Sequence, residues 1–233
     1  MTESFFAAVL GGPARSIRQH PCWWLLGLVA VFTLFPGIDL AVSGWFYVAG
    51  EGFPWRWSPV TEFVRRTLPP ILLGGLTLVT ILWLAGVVLR RPRFGIRGRI
   101  VAFLLSSMAV GPGLIVNTVF KDHWGRARPA SILEFGGKSL FTPPLTLSNQ
   151  CDHNCSFMSG HAALGFWTIA IAFLVPARWR YRAAAVALGF GSLTGLSRIA
   201  QGGHFLSDVL YAAVVTVGMT WLLHRMILED GEF

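Results

Sequence analysis

Long apolar stretches separated by short basic turns organise this chain. A helix needs about 20 mostly apolar residues to cross a hydrocarbon core, or somewhat fewer with anchoring flanks. Six stretches qualify, at approximately 22–46 (interrupted by Asp39), 68–89, 100–120, 159–175, 183–199 and 205–223. The pattern predicts an all-α, polytopic membrane protein with six transmembrane helices. No small-residue cleavage pattern follows the first stretch, so a retained helix is expected there and not a signal peptide. Residues 1–233 read as a single membrane-embedded domain, without internal repeat, low-complexity tract or linker.

Composition agrees, with 54% hydrophobic and only 13% charged residues, where soluble domains carry about a quarter charged. Ten Trp and eighteen Phe fit aromatic belts at the headgroup level. A net charge of +8 would point to nucleic acid in a soluble protein. Here the positions of the charges argue for a bilayer and against a nucleic-acid partner. Arg15, Arg18, Arg90, Arg91, Arg93, Arg97, Arg99, Arg178, Arg180, Arg182 and Arg225 all fall on one side of the predicted spans. Basic residues in short loops mark the cytoplasmic side, which places both termini in the cytoplasm.

The connections on the opposite side, about 37–67 and 121–158, are the long ones, and long loops tend to carry function. Proline-marked turns in the first frame a short amphipathic helix through 60–66, read either as an interfacial element or as plain surface. Cys151 and Cys155 lie in the second, which in a Gram-negative bacterium faces the oxidising periplasm. A local disulfide, two free thiols, or a metal site with His153 are the alternatives; the metal reading lacks a fourth ligand and the usual spacing.

Polar groups at the ends of membrane spans are costly and tend to be functional. Three clusters stand out: Lys121 to Pro129 after the third span, Ser159-Gly160-His161 opening the fourth, and Ser197-Arg198 closing the fifth with His204 and Asp208 opening the sixth. With six spans and an inner N-terminus, all three reach the outer face. Lys121, Arg128 and Arg198 then make an oxyanion clamp, in which Arg grips phosphate oxygens as a fork and Lys acts as a point charge. Ser159 and Gly160 add the positive end of a helix. His204 and Asp208 stand four apart on one helical face, so the carboxylate can hold the imidazole in one tautomer for attack on phosphorus. His161 is left to protonate the leaving oxygen and later to activate water. The scheme calls for no cofactor and no metal.

The pattern Lys121-x6-Arg128-Pro129, Ser159-Gly160-His161 and Ser197-Arg198-x5-His204-x3-Asp208 resembles the three-part signature of the type 2 phosphatidic acid phosphatase superfamily, related to vanadium haloperoxidases. The resemblance implies a haloperoxidase-like helical core in a membrane lipid phosphatase. It further implies His204 as a phosphohistidine-forming nucleophile, Asp208 as its support and His161 as the general acid. Lys121, Arg128, Ser159, Gly160 and Arg198 would bind phosphate. Met158 departs from the proline that usually precedes the Ser-Gly-His triplet.

The compact form and the Trp124-Gly-Arg-Ala-Arg128-Pro129 motif are similar to bacterial lipid A 1-phosphatases. Phosphatidylglycerophosphate and undecaprenyl pyrophosphate phosphatases, and a lipid phosphotransferase, share the same chemistry. A non-catalytic lipid binder or transporter would need the cations but not His204, Asp208 and His161. The expected setting is the bacterial inner membrane with the site facing the periplasm. Arg126 and Lys138 are candidates for contacting a second phosphate on a large headgroup. Small residues Ala187, Gly191 and Gly195 are expected to pack the fifth span within the monomer; the sequence leaves the oligomeric state open.

Overall fold

A computed structural model describes residues 21–90 and 96–229; Arg15, Arg18, Arg91, Arg93 and both termini lie outside them. The regular structure of the described residues is helical, and β pairing among them is limited to two isolated bridges, Val48 with Gly52 and Ile132 with Ser139. Helix α1 (Pro21–Leu34) runs into α2 (Gly37–Gly44) through a bend of 80° at its Pro36 break. Then come α3 (Pro59–Val88), α4 (Gly98–Met108) continued by a π-helical stretch (Ala109–Lys121), α5 (Gly160–Trp167), α6 (Ile169–Leu174), α7 (Ala177–Ala200) and α8 (Leu206–His224).

Among the described residues, four helices are long and apolar enough to cross a membrane, or five if the bent α1–α2 pair counts as one span. The fourth of the six predicted spans is instead the shorter apolar pair α5–α6, broken at Thr168. The first is bent where Pro36 interrupts the helix and Asp39 turns into the protein. The 60–66 segment is not a separate interfacial helix. It forms the first turns of α3, which opens with Pro59 at a position where a missing N–H costs nothing. The preceding turn is fastened to it by the Thr61 hydroxyl, which donates to the Trp55 carbonyl at 2.5 Å.

Helix α5 packs against α7, α8 and the π-helical stretch, and its N-cap, Ser159, is fully buried. Close approach is made possible by glycine. A Cβ at Gly191 would lie 2.4 Å from the Phe166 ring, and one at Gly195 would lie 2.3 Å from Val209. The small-residue face of α7 is thus used within the monomer. Helix α3 is different: only 6% of its apolar window is buried, against 39–44% for the other three long helices. It leans on the bundle as an outer staff whose first turns overhang the site.

Candidate active site

His204 sits in the short link between α7 and α8 and is fully buried. Its Nδ1 lies 2.7 Å from the carbonyl oxygen of Ser156. A carbonyl can only accept, so Nδ1 carries the proton and Nε2 holds the lone pair. Nε2 is buried and has no hydrogen-bond partner. Burial pushes the imidazole down to about 3, and Asp208 only partly opposes this. The ring is neutral at any physiological pH.

Asp208 does not hold His204 in the way its spacing predicts. Its Oδ2 is 3.7 Å from Nδ1, beyond hydrogen-bond reach, because that oxygen is already taken. Ser156 Oγ donates to it at 2.5 Å and the Phe205 N–H at 2.8 Å. Ser156 therefore orients both groups: its carbonyl fixes the His204 tautomer and its hydroxyl holds Asp208. Asp208 Oδ1 accepts from Arg126 Nη1 at 2.6 Å.

Arg126 is itself fully buried. Nη2 donates to Asp39 Oδ2 at 2.8 Å, Nη1 also to Ser207 Oγ at 2.9 Å, and Nε to the Thr142 carbonyl at 2.8 Å. Its guanidinium carbon lies 4.2 Å from the centre of the Phe205 ring, a cation–π contact. Asp39, from the bent α2, also accepts from the Ser207 N–H at 2.8 Å and thereby satisfies a donor in the first turn of α8. Arg126 cannot reach a second substrate phosphate; it bridges two buried carboxylates. Lys138 is exposed and does not line the cavity described below.

The cations expected to bind phosphate gather on the other side of His204. Lys121 ends the π-helical stretch and is close enough to Arg128 and Arg198 to feel their charge. Arg128 donates from Nη2 and Nε to the Asn154 carbonyl, at 2.6 and 3.1 Å. Burial lowers its pKa, and the neighbouring Arg56 and Arg65 add to this while Asp208 opposes it. Arg198 is buried, pairs through Nη1 with the Gln201 side chain, and keeps its buried Nε without a partner. Ser159 caps α5, its Oγ accepting from the Ala162 N–H at 3.4 Å. Gly160 is required by proximity, since a Cβ there would lie 2.4 Å from Asn117 Oδ1.

His161, one residue on, is held by α3: its Nε2 is 2.9 Å from the Arg65 carbonyl. That nitrogen is the protonated one, so the ring delivers a proton only as an imidazolium, from Nδ1, or after leaving the carbonyl. Cys151 and Cys155 are joined by a disulfide, with Cα atoms 5.7 Å apart, just before the Ser156–Ser159 strip. Among the described residues, no group of three His, Cys, Asp or Glu side chains could hold a metal ion.

A cavity of about 220 Å³ opens beside this centre, and Arg56, Arg65, Arg128 and Arg198 are among the residues that line it. The sequence motifs thus converge, and a family model of the PAP2 superfamily matches residues 100–232. The chain belongs to the PAP2 superfamily. Within it, the relatives are phosphatases, and so is this PAP2 protein. Lipid A 4'-phosphatase of Francisella tularensis subsp. novicida is 35% identical over 221 residues, covering 90% of this chain and 97% of that protein. Lipid A 4'-phosphatase of Rhizobium leguminosarum is 33% identical over 205 residues, covering 81% and 85%. That of Rhizobium etli is 32% identical over 204 residues, covering 80% and 77%. No solved structure matches the chain. The relatives share the expected lipid A phosphatase branch of the superfamily, but the position in their names is 4' and not 1.

Proposed function

We propose that this PAP2 phosphatase removes the 4'-phosphate of lipid A at the periplasmic face of the bacterial inner membrane, through a phosphohistidine on His204. The observation that carries the chemistry is the buried, unpartnered Nε2 of a His204 ring whose other nitrogen is locked on a carbonyl. The lipid rests on the relatives named above. The six-span, both-termini-inside topology and a single domain over 1–233 belong to the same reading.

In this mechanism Lys121, Arg128 and Arg198 take the phosphoryl oxygens, with Ser159 and Gly160 at the positive end of α5. Nε2 forms a bond to phosphorus as the bond to the lipid oxygen breaks, and His161 supplies the proton that oxygen needs. Phosphorylated His204 is cationic, and Asp208, too far for a hydrogen bond yet fixed at 3.7 Å, stabilises that charge. Water activated by His161 then breaks the P–N bond and releases phosphate.

The test is phosphate release by detergent-purified protein from lipid A, phosphatidylglycerophosphate, phosphatidic acid and undecaprenyl pyrophosphate, with mass spectrometry of the lipid A product. Loss of the 4'-phosphate alone is the expected result. Loss of the 1-phosphate, or release only from another lipid, would overturn the substrate assignment. Transfer of phosphate to a lipid hydroxyl without free phosphate would overturn hydrolysis.

A further inference from the structure

The cavity wall built by the turn Pro54–Trp57 and the first turns of α3 lies outside residues 100–232, the part matched by the superfamily. It nevertheless faces the same cavity as Arg128 and Arg198, and it contributes Arg56, Trp57, Glu62 and Arg65. The wall is firmly built. Phe53, buried at its foot, packs tilted against Tyr47 and edge-on against Phe135 at centroid distances of 5.6 and 5.4 Å. Gly202, two residues before His204, has φ +64, and a Cβ there would lie 2.5 Å from the Phe53 ring. The turn is therefore packed directly on the strip that carries the nucleophile.

Charge is unevenly settled along this wall. Glu62 binds Arg65 through Nε at 2.6 Å and Nη2 at 2.8 Å, and also binds Arg66 at 2.7 Å. Arg56 has no ion-pair partner among the described residues; its guanidinium carbon lies 5.6 Å from the centre of the Trp57 ring. Lys121, Arg128 and Arg198 already supply three cations for one phosphoryl group. An additional guanidinium, close enough to Arg128 to oppose its charge, is left facing the cavity. Such a surplus suits a ligand with more than one negative group.

We propose that Arg56, presented on Trp57 by the Pro54–Trp57 turn, binds a second anionic group of the substrate headgroup, a phosphate or carboxylate beside the phosphate that is cleaved. This takes the role that Arg126, sealed between Asp39 and Asp208, cannot play. The inference rests on the lipid A reading and names what in that headgroup is recognised.

The experiment compares three substrates in neutral-detergent micelles, so that the second anion comes only from the substrate: lipid A with both phosphates, lipid A with the 4'-phosphate alone, and lipid A with the 4'-phosphate and an acidic sugar. Wild type, Arg56→Ala, Arg56→Lys and, as a control for aromatic anchoring, Trp55→Ala are assayed. Arg56→Ala is expected to raise KM about tenfold more on whichever substrate carries the recognised second anion than on the singly charged substrate, the size of one lost charge-assisted hydrogen bond. Which doubly charged substrate responds tells phosphate from carboxylate. Arg56→Lys should recover most of the effect, and Trp55→Ala should show no substrate dependence. An equal change on all three substrates, or none, would overturn the inference while leaving the phosphatase reading intact. A wild type inactive on all three would overturn both.

Discussion

The two sides of His204 are built on opposite principles. Behind it, Asp39, Arg126, Ser207, Asp208 and Ser156 form a buried network in which each charged group has several partners. In front, Arg56, Arg128 and Arg198 border an open cavity; Arg128 and Arg198 bind neutral oxygens and Arg56 rests on an aromatic ring. The rear is finished before substrate arrives and fixes position. The front is incomplete without an anion and supplies recognition. In a buried network the expensive event is losing one partner; at an open wall it is losing affinity.

Variants at the centre should show the largest effect. His204→Ala should lower turnover by at least about 10⁴-fold, the scale of losing a nucleophile, with the fold retained; residual turnover near wild type would remove the nucleophile from this account. Arg126→Leu leaves two buried carboxylates facing each other and should destabilise the fold by about 3–5 kcal/mol. Thermal unfolding in detergent measures it, and a mild surface-like change would show that the rear is not a closed network. Arg198→Lys keeps the charge but loses the fork, and should reduce kcat/KM by roughly 10–100-fold while the melting temperature holds. Near-normal kinetics would mean that a point charge suffices.

Acid should separate the two sides further. His204 is depressed to about 3 by burial, below its ordinary value near 6.5, so the unfolded ring takes up a proton before the folded one does. Stability is full above pH 6.5 and falls as pH drops toward 3, by on the order of 3 kcal/mol at pH 4 from this group alone. Activity measured at short times should show no acid limb from the nucleophile between pH 7 and 4. A limb that disappears in a His161 variant would instead belong to the general acid. The smallest effect is expected from chelation: EDTA should leave the rate unchanged, because Lys121, Arg128 and Arg198 supply the positive charge. Loss that Mg²⁺ restores would contradict this.

Much of the front was legible in the sequence, because its residues lie in spaced motifs at span ends: Lys121, Arg128, Ser159, Gly160, His161, Arg198 and His204 occupy adjoining structure. The rear was not. Asp39 was visible only as an ionisable residue in an apolar run, a signal of function without a partner, and its partner Arg126 is 87 residues away. Ser156 gave no signal, since half its role is played by a backbone carbonyl. The four-residue spacing of His204 and Asp208 put them on one face correctly, yet it could not reveal that Ser156 and the Phe205 N–H occupy the carboxylate first. Helix count was obscured for a similar reason: hydropathy registers apolar length, and neither the bend at Pro36 nor the break at Thr168 removes apolar residues. The Arg56 wall carries no motif, because its cations are scattered over a loop and a helix end.

The central claim is that His204 Nε2 bonds to phosphorus, and rapid quenching of purified enzyme with lipid A carrying radiolabelled 4'-phosphate tests it most directly. The account predicts label on the protein that is stable to alkali and lost in acid, as a phosphoramidate is, and that is missing in His204→Ala. Label that persists in that variant, or turnover of the wild type without any labelled protein at any quench time, would contradict it.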